Sequence, residues 1–377
     1  MEYKKLGDIA TYINGYAFKP EQRGSEGLPI IRIQELTGNS YDLGYYNGDY
    51  PKKIELNDGD VLISWSASLG VYLWNRGKAL LNQHIFKVVF DKVEIDKFYF
   101  MYAVEYNLDK MSLKTHGATM KHITKKDFDN VVIPYPDLEY QKEISYRLTS
   151  LKGIIEKYQE QLDLLDELIK ARFVELFGNP LDGTAKYPIH QVGEVANSVD
   201  PQPSHRTPPV EEGGIPYVSI KDCDYKTGKI DFEGARKVSP KVLEEHMNRY
   251  TLHDGDFVVG KIGTIGNPVF VPARNDYTLS ANVVLIQPNS ELVSPYFLKY
   301  SFESDFVERQ FAEAKNSTSQ AAFGIQKVRT VEVMNPDLDV QREFEIFVKQ
   351  VDKSKFEIQK SLEKTQQLYD SLMQKYF

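Results

Sequence analysis

Pro136-Asp137-Leu138-Glu139-Tyr140-Gln141-Lys142-Glu143 returns 200 positions later as Pro336-Asp337-Leu338-Asp339-Val340-Gln341-Arg342-Glu343. The Pro, Asp, Leu, Gln and closing Glu are identical, and the differing pairs include Glu/Asp and Lys/Arg. The residues beyond stay in register without a gap, so that Phe177 overlays the last residue, Phe377. Upstream, Asp58-Gly59-Asp60-Val61-Leu62-Ile63 resembles Asp254-Gly255-Asp256-Phe257-Val258-Val259, and Ser68-Leu69-Gly70 resembles Thr264-Ile265-Gly266. Leu28 to Ile33 matches Ile215 to Ile220, and Leu6 to Ala10 matches Val192 to Ala196. An ordered series of this kind means one unit present twice.

Each unit ends in a long heptad pattern. From Ile144 the apolar positions step by four and three through Leu148, Leu151, Ile155, Tyr158, Leu162, Leu165 and Ile169 to Arg172 and Leu176. The second copy gives Phe344, Val348, Val351, Lys355, Ile358, Leu362, Thr365, Tyr369, Leu372 and Tyr376. This is an a/d seam. Asp137 and Asp337 are candidate N-caps, and Gly178-Asn179-Pro180 stops the first helix. Each helix should run about 50–60 Å, longer than one small domain can cover. The natural partner of each is the other, antiparallel, with Arg172, Lys355 and Thr365 setting register; the alternative for a heptad seam is a dimerisation handle, and its occurring twice, each time after a similar domain, favours pairing within the chain.

The segments before the helices read as α+β. Strands are expected at 29–34, 60–64, 80–90 and 131–135, with helices at 97–106 and 295–302. The proline-rich stretch 198–214 reads as an exposed loop. The resulting division is 1–136 and 191–336 for the globular domains, 137–177 and 337–377 for the helices, and 178–190 for the linker.

Composition excludes several classes. No apolar run is long enough to span a bilayer, and MEYKKLGDIA has no secretory h-region, so a cytoplasmic chain is expected. One cysteine, Cys223, makes neither an internal disulfide nor a cysteine-based metal site. No phosphate-cradling GxxxxGK[ST] is present, and Gly260 to Gly266 lacks dinucleotide spacing and reads as a turn. Asn267-Pro268-Val269-Phe270 is similar to an adenine-methyltransferase motif but lacks its second proline, and reads as turn plus strand. No catalytic residue, metal ligand or cofactor site is expected. The net charge of −8 sits poorly with a nucleic-acid reader, although it bears on solubility rather than on a local surface.

Two stretches suit nucleic acid. Residues 112–126 hold four lysines and two histidines with no acid, and the counterpart 315–327 is also polar and acid-free. Lysine binds phosphate or guanine, while Asn and Gln read adenine through paired hydrogen bonds. Candidate DNA contacts in the first copy are Ser66 and Ser68 at the small-residue turn, Asn82, Gln83 and His84 in the next strand, and Lys114, His116, Thr119, Lys121, His122, Lys125 and Lys126. In the second copy they are Lys261, Thr264, Ser280, Asn282, Lys315, Ser317, Thr318, Gln326 and Lys327. Ser280-Ala281-Asn282 stands where the first copy has Asn82-Gln83-His84.

Over nearly its whole length the chain resembles the specificity subunits of type I restriction-modification systems. The resemblance rests on 59–70, Leu-Asn-Gln-His (81–84), Ile-Thr-Lys-Lys-Asp-Phe (123–128), 134–144, and their partial repeats. It departs in the second copy, where Ser-Ala-Asn replaces Asn-Gln-His and Gln-Lys-Val-Arg (326–329) replaces Thr-Lys-Lys-Asp (124–127). The resemblance implies two target-recognition domains reading a split site in double-stranded DNA, held by an antiparallel coiled coil with a pseudo-two-fold. It also implies two methyltransferase subunits carrying S-adenosylmethionine and an ATP-dependent restriction subunit as partners, with no chemistry in this chain. The rival from another class is a tandem-domain scaffold that binds protein ligands, which the acidic net charge favours and the paired acid-free stretches oppose. A self-contained methyltransferase is the third reading, and the missing cofactor motifs oppose it.

Overall fold

The structure, a computed structural model, describes residues 2–39, 42–114, 123–204, 206–261, 266–316 and 324–377, with the backbone alone at 109, 111–114, 315 and 316. Two units make up the chain, residues 1–159 with 360–377, and residues 160–359.

In the first unit, Thr11–Asn14, Ile85–Val89, Val61–Ser64 and Gly70–Leu73 form an antiparallel sheet in that order. A second sheet runs Tyr45–Tyr46, Leu28–Ile31, Ala79–Leu81, Glu55–Leu56, and its middle pair is parallel. Glu2–Lys5 pairs with Val132–Tyr135. The second unit repeats the scheme. Ala196–Val199, Val283–Pro288, Phe257–Gly260 and Gly266–Phe270 form the main sheet. Arg236–Val238, Ile215–Val218 and Thr278–Leu279 form the second sheet, again with a parallel pair. Ile189–Gln191 pairs with Glu332–Met334.

Burial explains why these runs are continuous apolar stretches rather than an alternation of apolar and polar. Side chains alternate across a strand. Val61 and Ile63 enter one core with Phe86 and Val88, while Leu62 enters another with Ile85 and Leu80. In the second unit, Phe257 and Val259 join one core and Val258 the other. A sheet covered on both faces needs no polar side. The turn before each central strand is built alike. Gly59 and Gly255 both sit at φ 92°, where a side chain would be strained. Asp60 then accepts the Asn57 amide at 2.8 Å, and Asp256 the His253 amide at 2.9 Å.

The repeated Pro-Asp-Leu-x-x-Gln has a structural meaning. Gln141, 1% exposed, donates to the Pro136 carbonyl at 2.8 Å and accepts the Asp96 amide at 2.9 Å. Gln341, 0% exposed, donates to the Pro336 carbonyl at 2.7 Å and accepts the Ser294 amide at 2.7 Å. Each glutamine thus ties the first turn of a long helix to the start of the domain helix, Lys97–Lys114 or Pro295–Phe302. Asp137 caps the first long helix through the Tyr140 amide at 2.9 Å.

The long helices are Leu138–Phe177 and Leu338–Tyr376. No described residue of either seam is fully exposed. In the first unit Ile144 and Leu148 pack with Met373 and Tyr376 against Tyr99 and Tyr102. In the second, Ile169, Phe173 and Phe177 pack with Phe344, Val348 and Val351. There, Asp166 meets Lys355 at 2.5 Å and Arg172 meets Glu343 at 2.7 Å. One number rises as the other falls, so the pairing is antiparallel. Two of the polar seam residues, Arg172 and Lys355, therefore hold ion pairs across the seam.

The strands differ from expectation at several places, among them Ser198 and Val199, which belong to the strand Ala196–Val199 rather than to the loop expected from 198 onward. The strand expected at 29–34 is Leu28–Ile31, and Ile33–Leu36 is a helical turn in which Glu35 accepts the Arg32 amide. The single strand expected at 80–90 is two, Ala79–Leu81 and Ile85–Val89, because His84 takes φ 73° and turns the chain. Asn267 to Phe270 lies wholly inside the strand Gly266–Phe270. Among the described residues, no helix is long and apolar enough to cross a membrane.

Candidate nucleic-acid interface

The break at 82–84 is where the candidate residues converge. The Trp65 amide donates to the His84 carbonyl at 3.3 Å, and the two rings meet edge to face at 5.0 Å. This joins the turn 82–84 to the turn 65–69, which is closed by Ser64 Oγ donating to the Ser68 carbonyl at 2.5 Å. Ala67, φ 58°, and Ser68 form its exposed tip. Gln83 is exposed and His84 is half-buried. Asn82 and Ser66 are 7% and 8% exposed, and Asn82 Oδ1 has no hydrogen-bond partner among the described residues.

The basic stretch arrives at the same place. The Ile123 amide donates to the Trp65 carbonyl at 3.1 Å. Thr124 then caps the short helix Lys125–Asp129, accepting the Asp127 amide at 3.1 Å. Phe128 anchors this helix against Tyr12 at 4.9 Å. Lys125 pairs with Asp129 at 2.7 Å, and Lys126 is exposed. Among the candidates, His116, Thr119, Lys121 and His122 lie outside the described residues, as does the side chain of Lys114.

Among the described residues, the second unit repeats part of this backbone with different side chains. The Lys261 amide donates to the Asn282 carbonyl at 2.8 Å, so Lys261 stands for Trp65 and Asn282 for His84. The Ser280 amide donates to the Val218 carbonyl at 2.8 Å, as the Asn82 amide does to Ile31 at 3.0 Å. The turn Ser280-Ala281-Asn282 is therefore the counterpart of Asn82-Gln83-His84. Asn282 is exposed, Ser280 is 2% exposed, and Ala281 is held by its amide donating to Tyr217 Oη at 3.0 Å. Lys261 is 5% exposed, and its ammonium pairs with Asp200 at 2.7 Å. Thr264, Ser317 and Thr318 lie outside the described residues, as does the side chain of Lys315.

The helix Ile325–Arg329 carries exposed Gln326 and half-buried Lys327. Its buried Val328 occupies the place of Phe128, since the Val331 amide returns to Val328 as Val131 does to Phe128. The sequence pairing of 326–329 with 124–127 is therefore shifted by two residues. Gln326 corresponds to Lys126 and Lys327 to Asp127.

Behind the second turn lies a polar network. His246, 3% exposed, contacts Thr278 Oγ1 at 2.6 Å through Nδ1 and Gln202 Oε1 at 2.5 Å through Nε2. Tyr250 Oη joins Thr278 at 2.9 Å. Because Gln202 Oε1 accepts, Nε2 carries the proton and Nδ1 accepts from Thr278. Burial, reinforced by Arg249, lowers the His246 pKa and keeps the ring neutral. In the first unit Leu80 holds the place of Thr278, and the core there is apolar. Burial pushes the Cys223 thiol up to about 11, which leaves it unreactive.

Residues 1–165 and 186–368 match the model of the type I restriction modification DNA specificity domain. The chain is 21% identical to the type I restriction enzyme EcoBI specificity subunit of Escherichia coli, over 99% of this chain and 84% of that protein. It is 23% identical to the MjaVIII specificity subunit of Methanocaldococcus jannaschii, over 97% of this chain and 91% of the relative. The crystal structure of the type I restriction-modification system S subunit from M. genitalium has a similar fold, with TM-score 0.58 and 14% identity. That match covers 100% of this chain and 96% of the other.

Proposed function

The chain belongs to the type I restriction-modification DNA specificity family, and from that premise we propose that each unit reads one half of a bipartite DNA target. The reading surface of the first is the pair of abutting turns 65–69 and 82–84, and that of the second centres on the turn 280–282, which is joined to Lys261. One observation carries this. The two units share the backbone hydrogen bond that joins these segments, Trp65 to His84 and Lys261 to Asn282, but carry different side chains there. Shared scaffolds with exchanged side chains are what two readers of different sequences require, since base edges are discriminated by side-chain donors and acceptors. Gln83 and Asn282 are the exposed readers, Lys126 and Gln326 flank them, and the acid-free stretches bind phosphate.

The paired long helices set the number of unread base pairs between the half-sites. Half-site centres about 34–36 Å apart, one turn of the duplex, suit such a ruler. The partners are double-stranded DNA, two methyltransferase subunits that bring S-adenosylmethionine, and an ATP-dependent restriction subunit. This chain contributes recognition and no bond-making step.

The test is to co-express the chain with its methyltransferase subunits and map methylated adenines across a genome. A two-part site with a fixed unread gap is expected, and the gap should lengthen when both long helices are extended by one heptad. A continuous site, or a gap indifferent to helix length, would overturn the reading.

A further inference from the structure

The geometry points to Tyr16 as a specificity-determining residue of the first half-site, one that touches the duplex beside Gln83. This inference rests on the reading of the turns proposed above. The Tyr16 amide donates to the Leu81 carbonyl at 2.9 Å, and its own carbonyl accepts the Gln83 amide at 3.0 Å. Its backbone is thus fastened on both sides to the segment that carries the reading turn. The preceding Gly15 shows how close this approach is, since a Cβ there would fall 1.9 Å from the Asn82 carbonyl oxygen. No other residue fits.

The Tyr16 ring leans edge to face on Phe18 at 4.9 Å, and Phe18 is buried against Tyr46 at 5.2 Å. Yet the residue is 41% exposed. A large aromatic side chain held rigid by its backbone and by one buried ring, open to solvent next to an exposed glutamine, loses little conformational freedom on binding. Its ring offers apolar contact to a thymine methyl and its hydroxyl one hydrogen bond to a base edge.

The second unit makes a different use of the equivalent position. Gln202 lies as far beyond Val192 as Tyr16 does beyond Leu6. Its side-chain oxygen is taken up by the buried His246. The contact is therefore confined to the first half-site.

The experiment uses the full chain assembled with its methyltransferase subunits, and compares wild type, Tyr16→Ala, Tyr16→Phe and Gln83→Ala by genome-wide mapping of methylated adenines. Tyr16→Ala should lower discrimination by about 5- to 150-fold at a base pair adjacent to the one that Gln83→Ala relaxes. The other half-site and the gap should stay unchanged. Tyr16→Phe, which keeps the ring packing, separates loss of the hydroxyl from displacement of the turn, and thermal melting of each variant confirms that the unit is folded. If Gln83→Ala relaxes one half-site and Tyr16→Ala alters no position, Tyr16 is no reader and this inference falls. If Gln83→Ala also changes nothing, the reading of the turns falls with it.

Discussion

Replacing Gln341 with leucine should destabilise the second unit while leaving its apolar core intact. The side chain is fully buried and makes hydrogen bonds to the Ser294 amide, the Pro336 carbonyl and Asn335 Oδ1, at 2.7, 2.7 and 3.2 Å. Leucine is of similar size and leaves the first two backbone groups buried without partners. Each stranded group costs about 1–3 kcal/mol. The added apolar burial returns about 1–2 kcal/mol. The net loss is about 1–4 kcal/mol, which in a unit of this size lowers the melting temperature by about 2–15 °C. Both tryptophans, Trp65 and Trp74, lie in the first unit, so circular dichroism rather than tryptophan fluorescence should follow this transition. The local signature is faster hydrogen exchange at the Ser294 amide. Gln141→Leu should do the same to the Asp96 amide, and there fluorescence reports it. A stability change under about 0.5 kcal/mol with unaltered Ser294 exchange would refute the clamp.

The geometry sets three further outcomes. Lys261→Met leaves the half-buried Asp200 without its cation and should cost about 1–3 kcal/mol in chemical denaturation, and adding Asp200→Leu should recover much of it. His246 is buried neutral with its pKa lowered, so the unfolded state binds the extra proton. Its stabilising contribution is complete above the ordinary histidine pKa and declines as the pH falls below it. Urea midpoints of wild type between pH 7 and pH 5 should therefore fall more than those of His246→Gln, and parallel curves would dismiss the effect. Alanine at Lys114, Lys121, Lys125 and Lys126 should weaken binding to all DNA sequences and reduce the slope of affinity against salt by about one for each phosphate no longer neutralised. Lys126, exposed, should contribute more than Lys125, which Asp129 holds.

The duplication and the helical seam were legible because both are periodic in sequence. Ile144, Leu148, Phe344 and Val348 are buried where the heptad places them. The seam read from spacing omitted Phe173, Phe177 and Met373, whose burial comes from the domains packed beside the helices. The role of Gln141 and Gln341 was hidden because a repeated spacing says nothing of a hydrogen bond to a helix start far away in the chain. Leu80 to Phe90 read as one strand because its apolar pattern runs across the break, and only the backbone turn at His84 reveals it. Lys261 read as an open cation because Asp200, its partner, is distant in sequence. Tyr16 and Gln202 carried no motif. The register of the Leu6 and Val192 repeats was the one signal that could have led to them.

The most direct measurement transplants the second turn into the first, with Asn82→Ser, Gln83→Ala and His84→Asn together, and reads the methylated sites made by the assembled complex. New base preferences in a single half-site, with the other half and the gap kept, are expected if each unit reads on its own. An unchanged site, or one altered in both halves at once, would contradict that account.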